Sequence, residues 1–201
     1  MFTIWGRLNS LKVKKVVWAA CEAGLKWELN DIGGAFGYTP DYLEMNPNRL
    51  VPTVQDGDFT LWESNAILRY IANAHAPHLW AGTPQERADA DRWMDWQFAF
   101  ADAQREGFLQ VVRVAESRRD PTRIERTIAA TNAMMEIMEE TLSRREWLSG
   151  EHFGIADIPM GTYTHTWMAL GFDQIAVPHV RAWYERLKAR PGYEYVTIPL
   201  T

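Results

Sequence analysis

The sequence predicts two domains, a small α/β domain followed by an all-helical domain. Before Pro77, short segments that alternate apolar and polar residues, as strands do, are interleaved with segments of helical spacing. After Pro77 no segment alternates in this way, and apolar residues recur three and four positions apart, which is typical of packed helices. A linker-like stretch, APHLWAGTP, separates the two patterns. We therefore expect an α/β domain over 1–77 and an all-α domain over 84–201.

The first domain is expected to follow the order β-α-β-α-β-β-α. Its predicted strands are FTIW, KWELNDI and the two arms of VPTVQDGDFTLWE, in which Asp56-Gly57 is a strong signal for a hairpin turn. Its predicted helices are LKVKKVVWAACEAG, PDYLEMN and SNAILRYIANAH, and GGAFGYTP is predicted to be a loop. A β-α-β start implies a parallel strand pair with a right-handed crossover, and the closing hairpin adds an antiparallel strand.

The second domain is predicted to contain only helices. One long helical pattern runs from Gln85 to Arg119, with an interruption expected near Gly107. Pro121 is expected in the first turn of the next helix, a position that proline favours. Two further helical segments follow, GIADIPMGTYTHTWMALGF and VPHVRAWYERLKARPG.

Composition argues against several classes of protein. The formal net charge is −5 and no basic run is present, so we expect no nucleic-acid partner. No apolar run reaches the roughly 18 residues of a membrane span and no secretion signal is seen, so we expect no membrane association and a cytoplasmic location. Cys21 is the only cysteine, which excludes an internal disulfide and a zinc site built on cysteine pairs. His75 and His78 have metal-like spacing, but Pro77 lies between them and no third ligand is near, so we expect no metal site.

Three motifs, NPNRLVPTV, LWESNAILRYIA and FGIADI, follow one another along the chain. Together they resemble the cytosolic glutathione transferase family, and the resemblance covers nearly the whole chain. The opening WGRLNSLKVKKVVWA is most similar to the bacterial and theta-like branches, which carry a serine, cysteine or asparagine near the first helix in place of a tyrosine. The resemblance implies a thioredoxin-like N-terminal domain, an all-α C-terminal domain, a homodimer, and glutathione as co-substrate with no other cofactor.

The same resemblance implies a glutathione site. Val51 and Pro52 are expected to be joined by a cis bond, which turns the Val51 backbone outward to pair with the cysteinyl residue of glutathione. Glu63 and Ser64 are expected at a helix start, where the α-carboxylate of the ligand is favoured and Glu63 faces its α-ammonium group. The alternatives are that Pro52 only shapes the entry to a strand and that Glu63 and Ser64 only cap a helix.

By resemblance, Ser10 is the expected catalytic hydrogen-bond donor to the glutathione sulfur, with Asn9 as the second candidate. A free thiol has a pKa of about 8.5 and must drop by about 2 units, or roughly 2.7 kcal/mol, to be mostly thiolate at neutral pH. A hydrogen bond to a charged group contributes about 1.5–3 kcal/mol, and a helix N-terminus adds roughly 0.3–1 kcal/mol. The two together suffice without a metal or a protein base. The alternative is that the Ser10 hydroxyl only caps the first helix.

The NPNRLVP motif departs from the commoner family pattern, in which a glycine and then a basic residue precede the Val-Pro pair. Arg49 and Leu50 stand at those two positions. Both are expected to lie in the glutathione site, but the contact to the glycyl carboxylate is left open between Arg49, Lys12 and Arg7.

The FGIADI motif departs from the pattern at one position. Gly154 stands where the family usually has a capping serine or threonine, so the reciprocal hydroxyl of a capping box is missing. We expect Asp157 to accept hydrogen bonds from the backbone of the preceding loop and to serve folding rather than catalysis.

The resemblance places the second substrate, a small apolar electrophile, in an apolar cleft between the domains. Ordinary core packing is the alternative for each aromatic residue assigned to it. The expected lining residues are Arg7, Leu8, Phe36, Trp96, Phe100 and Gln104.

These expectations lead to two hypotheses. The first is a glutathione S-transferase that stabilises the glutathione thiolate and conjugates it to the electrophile. The second is a non-catalytic module of the same fold that acts through protein partners, because a fold does not fix a function. The joint presence of Val51-Pro52, Glu63 and Ser64 favours the enzyme.

Overall fold

The computed structural model describes residues 1–80, 82–172 and 175–200, which form two compact units. The first unit combines Met1–Trp80 with the C-terminal segment Arg190–Leu200. The second consists of the described residues between Ala81 and Ala189. Positions 173, 174 and 201 of the expected second domain lie outside the described residues.

A four-stranded mixed sheet with the order β2-β1-β3-β4 runs through the first unit. β1 and β2 are parallel, and β3 is antiparallel to both β1 and β4. At the hairpin turn Asp56 pairs with Phe59, and Gly57 takes a left-handed φ of 59°, which glycine adopts at little cost. The predicted parallel pair and the predicted hairpin are both confirmed. The strands are β1 (Phe2–Gly6), β2 (Trp27–Asp31), β3 (Thr53–Asp56) and β4 (Phe59–Trp62).

Three helices complete this part of the first unit and confirm the predicted order β-α-β-α-β-β-α. They are α1 (Leu11–Glu22), α2 (Pro40–Met45) and α3 (Ser64–Ala74). α1 and α3 pack against each other, and each also contacts the sheet. Apolar side chains on their inward faces are fully buried, which fixes the two helices firmly in place. The buried side chains include Val13, Val16 and Val17 of α1 and Ile67, Leu68 and Ile71 of α3.

The second unit is helical, as predicted. Its helices are α4 (Pro84–Arg113), α5 (Pro121–Leu142), α6 (Asp157–Ala169) and α7 (Pro178–Lys188). α4 packs against both α5 and α6, and α7 packs against α5 and α6. Within the described ranges, no helix combines the length and the apolar character needed to span a bilayer.

The interruption expected near Gly107 is wrong, because α4 continues unbroken past this residue. A Cβ atom at position 107 would lie 2.7 Å from Cγ2 of Thr127 on α5. The Gly107 N–H group donates a hydrogen bond of 3.0 Å to the Thr127 hydroxyl. The glycine therefore lets α4 and α5 approach closely, and it does not end the helix.

Asp157 organises the loop before α6, as the sequence analysis expected. Its buried carboxylate accepts hydrogen bonds from the backbone N–H groups of Leu148, Ser149 and Gly154 at 2.8, 3.2 and 3.0 Å. The indole of Trp183 on α7 donates a fourth bond at 2.8 Å. The Ser149 hydroxyl also accepts a bond from the loop at the N–H of the residue before Asp157, so a side chain from elsewhere in the loop replaces the hydroxyl missing at Gly154.

The C-terminal segment belongs to the first unit, which differs from the expected boundary of 84–201. Its short helix α8 (Tyr193–Val196) packs against α1. Trp18 of α1 contacts a tyrosine of α8 edge-on, and the buried ammonium group of Lys14 donates to carbonyl groups of the segment, one of them 2.9 Å away. These contacts link positions far apart in the chain, so the local sequence pattern could not indicate them.

Candidate active site

A groove lies on the first unit, beside the loop before β3 and the start of α3. It brings together five residues that the sequence analysis assigned to one site, although they come from two separate motifs. It also contains Lys12, one of the candidates for the glycyl-carboxylate contact, and three residues that were not assigned to it. The lining residues are Lys12, Asn46, Asn48, Leu50, Val51, Pro52, Trp62, Glu63 and Ser64.

Asn46 holds the loop that forms one wall of the groove. Its amide nitrogen donates to the Leu50 carbonyl at 3.0 Å and to the Thr53 hydroxyl at 3.1 Å, and its oxygen accepts the Asn48 N–H at 3.1 Å. The Tyr42 hydroxyl also donates to the Leu50 carbonyl, at 2.5 Å. Sequence reasoning missed this role. The Asn-Pro-Asn stretch, which is typical of turns, was the available signal.

The Val51–Pro52 peptide bond is cis, which confirms the expected geometry. Pro52 directly precedes β3, so the bond lies at the entry to a central strand of the sheet. Among the hydrogen bonds of the described residues, none involves the backbone of Val51. An N–H and a C=O group beside a sheet and without an internal partner offer an extended peptide the pairing that a further strand would provide.

Arg49 has a left-handed backbone conformation, with a φ of 56°. This conformation costs a non-glycine residue about 1–2 kcal/mol, whereas glycine adopts it freely. The glycine of the commoner family pattern thus matches the backbone that the loop needs at this position. The Arg49 side chain is exposed and does not line the groove, so its contact with a ligand stays a prediction.

Glu63 is the N-cap residue of α3, but its side chain does not cap the helix. Its φ of 72° lies outside the regions that non-glycine residues prefer, at a cost of about 1–3 kcal/mol, and such residues cluster at functional sites. Ser64 is the first residue of the helix and lines the groove, although only 2% of its surface is exposed. The unpaired N–H groups of a helix start therefore lie beside a carboxylate that no cap bond occupies, an arrangement suited to a ligand with both charges.

Ser10 is the N-cap residue of α1, and its side chain makes no cap hydrogen bond. The capping alternative is therefore wrong for this hydroxyl. The oxygen of the neighbouring Asn9 side chain accepts a hydrogen bond of 2.8 Å from Arg7. Neither Ser10 nor Asn9 lines the groove, but the helix that Ser10 begins contributes Lys12 to it.

Lys12 is the only cation among the residues that line the groove, and Glu63 is the only carboxylate. Lys12 was one of three candidates for the glycyl-carboxylate contact, and the other two, Arg7 and Arg49, do not line the groove. The opposite charges of Lys12 and Glu63 match a small zwitterionic ligand better than a neutral one.

The residues expected to contact the second substrate are divided between the two units. Phe36 is 59% exposed, whereas Arg7 lies against Gly34. On α4, Trp96 stacks on Phe100 with ring centroids 5.6 Å apart, and Phe100 is fully buried. Burial favours core packing for Phe100 and for Gln104, which is 2% exposed. A substrate contact for Arg7, Leu8, Phe36 and Trp96 stays a prediction.

His75, a potentially reactive side chain outside the groove, has a structural partner. The His75 ring nitrogen lies 2.6 Å from the Asp56 carboxylate, and the Tyr70 hydroxyl donates to the same carboxylate at 2.7 Å. The described residues contain no cluster of three or more metal-ligating side chains. Burial raises the pKa of the Cys21 thiol, which makes it a poor nucleophile.

Comparisons with known proteins identify the family. The family model described as Glutathione S-transferase, N-terminal domain, matches residues 1–73, and that described as Glutathione S-transferase, C-terminal domain, matches residues 96–191. Glutathione S-transferase GstB of Escherichia coli (strain K12) is 36% identical over 208 aligned residues, which cover 100% of both chains. Glutathione S-transferase 4 of Zea mays is 29% identical over 202 aligned residues, covering 94% of this chain and 88% of its own.

A solved structure supports the same assignment over the full length. The theta class glutathione S-transferase from Xanthomonas axonopodis pv. citri, with glutathione bound, is 43% identical, has a TM-score of 0.93 and is matched over 100% of this chain and 99% of its own. The expected architecture, a thioredoxin-like domain followed by an all-α domain, is confirmed. The chain belongs to the glutathione S-transferase family.

Proposed function

We propose that this enzyme binds glutathione in the groove of the first unit, stabilises its thiolate and conjugates it to a small apolar electrophile. The observation that carries the proposal is the single groove in which the loop at Val51 and Pro52 meets the start of α3. It presents an unpaired backbone and a helix N-terminus within one groove. Glutathione, an extended tripeptide with a free amino-acid end, has groups that pair with each of these features.

Each part of glutathione has a partner of matching chemistry in the groove. The cysteinyl residue pairs with the backbone of Val51, as an added strand does. The α-carboxylate accepts hydrogen bonds at the start of α3 from Ser64 and the backbone, and Glu63 attracts the α-ammonium group. Lys12 supplies the positive charge for the glycyl carboxylate, while Leu50 and Pro52 form apolar walls.

The Ser10 hydroxyl is assigned the hydrogen bond to the glutathione sulfur. It is free of cap bonding and stands at the start of a helix, where the dipole also favours an anion. The two effects contribute about 1.5–3 and roughly 0.3–1 kcal/mol, which is enough to lower a thiol pKa of about 8.5 by about 2 units. Asn9 is the second candidate, and its bond with Arg7 makes it more suitable for shaping the loop.

In the reaction, the bound thiolate attacks the electrophilic carbon of the second substrate. A new S–C bond forms, and in a substitution the leaving group departs with its electron pair. The protein forms no covalent intermediate, and its contribution is to orient the thiolate and keep it ionised. Phe36 and Leu8, both on the first unit, are the proposed apolar contacts for this substrate.

We also propose that the enzyme is a cytoplasmic homodimer, as the family resemblance implies. Light scattering after size-exclusion chromatography measures the mass in solution, and a dimer of the 23.2 kDa chain should have twice that mass. A monomer at micromolar concentration would contradict the proposal.

Retention on immobilised glutathione, followed by turnover of a chloronitrobenzene with free glutathione, tests the proposed function. We expect both, with elution by free glutathione. The Glu63→Gln variant tests the site itself. It keeps the shape of the side chain but removes the charge opposite the α-ammonium group, so it should weaken retention. If the wild-type chain neither binds nor turns over the substrate, the non-catalytic hypothesis replaces the enzyme.

A further inference from the structure

Two adjacent lysines of α1, Lys14 and Lys15, are buried, each with only 1% of its surface exposed. Buried lysines are rare, because removing an ammonium group from water is costly. Lys14 binds carbonyl groups of the C-terminal segment. Lys15 instead donates a hydrogen bond of 2.7 Å to the side-chain oxygen of Asn65, on α3. Lys14 therefore contacts the C-terminal segment, whereas Lys15 contacts the start of α3.

Lys15 points toward the start of α3, where the groove lies. Asn65 directly follows Ser64, and both are buried in the first turn of α3. Lys12 precedes Lys15 by three positions, so the two share one face of α1, and Lys12 lines the groove. Lys15 thus lies about one helical turn further along α1 than Lys12, the half-buried cation of the groove.

The charges around Lys15 have opposing effects. Its pKa is lowered from 10.5 to about 7, mainly by burial and also by the nearby cations Lys12 and Arg69, whereas the Glu63 carboxylate acts to raise it. Its hydrogen-bond acceptor Asn65 is a neutral amide, so this bond leaves the positive charge in place. An anion bound at the start of α3 would stabilise the ammonium form and would be stabilised by it.

We infer that Lys15 is a positioning residue for the α-carboxylate of the γ-glutamyl group of glutathione. It holds Asn65, and through Asn65 the first turn of α3, and it adds a buried positive charge behind the N–H groups that bind the carboxylate. This inference rests on the proposed function.

The test compares two ligands that differ in one group. S-methylglutathione carries the α-carboxylate and has no ionisable thiol, and its analogue with 4-aminobutyrate in place of the γ-glutamyl residue lacks only that carboxylate. For Lys15→Met, we expect the Kd of S-methylglutathione, measured by calorimetry, to rise about tenfold, the change that corresponds to roughly 1.4 kcal/mol. The Kd of the decarboxylated analogue should change less than about twofold, because the partner of the charge is absent.

Two further variants separate charge from structure. Lys15→Gln retains a donor for Asn65 but not the charge, so it should show the same selective loss, and it decides the test if Lys15→Met does not fold. Lys14→Met is the matched control, because it removes an adjacent buried ammonium group that faces the C-terminal segment, and it should show no selectivity. Equal losses for both ligands, or none for S-methylglutathione, would overturn the inference. Failure of the wild type to bind S-methylglutathione would instead refute the proposed function.

Discussion

At the scale of one residue, the hydroxyl of Ser10 makes no cap hydrogen bond and is our proposed donor to the glutathione sulfur. Ser10→Ala should raise the pKa of the bound thiol by about 1–2 units, because a hydrogen bond to a charged group contributes about 1.5–3 kcal/mol. Titration of the thiolate ultraviolet absorbance in the complex measures this shift. Asn9→Ala is the matched comparison and should leave the titration near the wild-type curve. The reverse result would move the catalytic role to Asn9.

Two alanine variants decide whether Lys12 or Arg49 contacts the glycyl carboxylate of glutathione. Lys12→Ala should raise KM for glutathione about tenfold or more with little change in kcat, because the lost contact acts on binding. Arg49→Ala should have a smaller effect, since its side chain is exposed and outside the groove. Steady-state kinetics with glutathione as the varied substrate decides between them. A larger KM effect for Arg49→Ala would return the contact to that residue.

Single residues of the site were predictable where a short motif carries them. Val51, Pro52, Glu63 and Ser64 lie in two compact motifs, and the structure brings the motifs to one groove. The left-handed backbone at Arg49 was not predictable, because arginine is not a residue that signals it. Nor was the pairing of Lys15 with Asn65, which joins positions 50 residues apart through the packing of α1 on α3.

At the scale of an element, the start of α6 depends on one buried carboxylate. Asp157→Ala would leave three backbone N–H groups and the Trp183 indole without their acceptor. Since each unsatisfied buried group costs about 1–3 kcal/mol, we expect a loss of at least about 3 kcal/mol in the free energy of unfolding. Urea denaturation followed by tryptophan fluorescence measures it.

Glu151 provides the control for this prediction. It is exposed in the same loop, so Glu151→Ala should change stability by less than about 0.5 kcal/mol. A comparable loss in both variants would mean that the loop is sensitive to any substitution. A small loss for Asp157→Ala would show that water replaces the carboxylate and that the folding role is minor.

Other elements show where local patterns mislead. An isolated glycine in a helical pattern suggests a break, but Gly107 lies inside α4 because the close contact with Thr127 excludes a larger side chain. The strands and the hairpin were predictable because alternation and the Asp-Gly turn are local properties. The distance between two helices is not a local property, and only the packed structure reveals why the glycine is there.

At the scale of the molecule, the two-part organisation follows from the change of periodicity near Pro77. The return of the C-terminal segment to the first unit does not, because it depends on contacts of α8 with α1. Those contacts bury Lys14, and the packing of α1 on α3 buries Lys15. Burial lowers the pKa of both lysines, so the fold makes the free energy of unfolding depend on pH.

Burial of Lys15 makes the free energy of unfolding rise with pH. Its pKa falls from 10.5 to about 7 in the folded chain, so between these values the unfolded state holds a proton that the folded state has released. Stability then increases by up to about 1.4 kcal/mol per pH unit from this one group. Above about pH 10 the unfolded tyrosines ionise while burial raises the pKa of Tyr163 to about 12, which reverses the trend.

The difference between the wild type and Lys15→Met isolates this contribution. Denaturation at pH 7, 8 and 9 should show the wild type gaining stability relative to the variant at each step, because methionine has no proton to lose. Lys14, whose pKa burial lowers to about 8, provides a second series in which Lys14→Met should remove a gain that begins at higher pH. If the curves for the wild type and Lys15→Met are parallel, Lys15 keeps its proton in the folded chain. Stabilisation of the ammonium group by Glu63 and Asn65 would then exceed the cost of burying it.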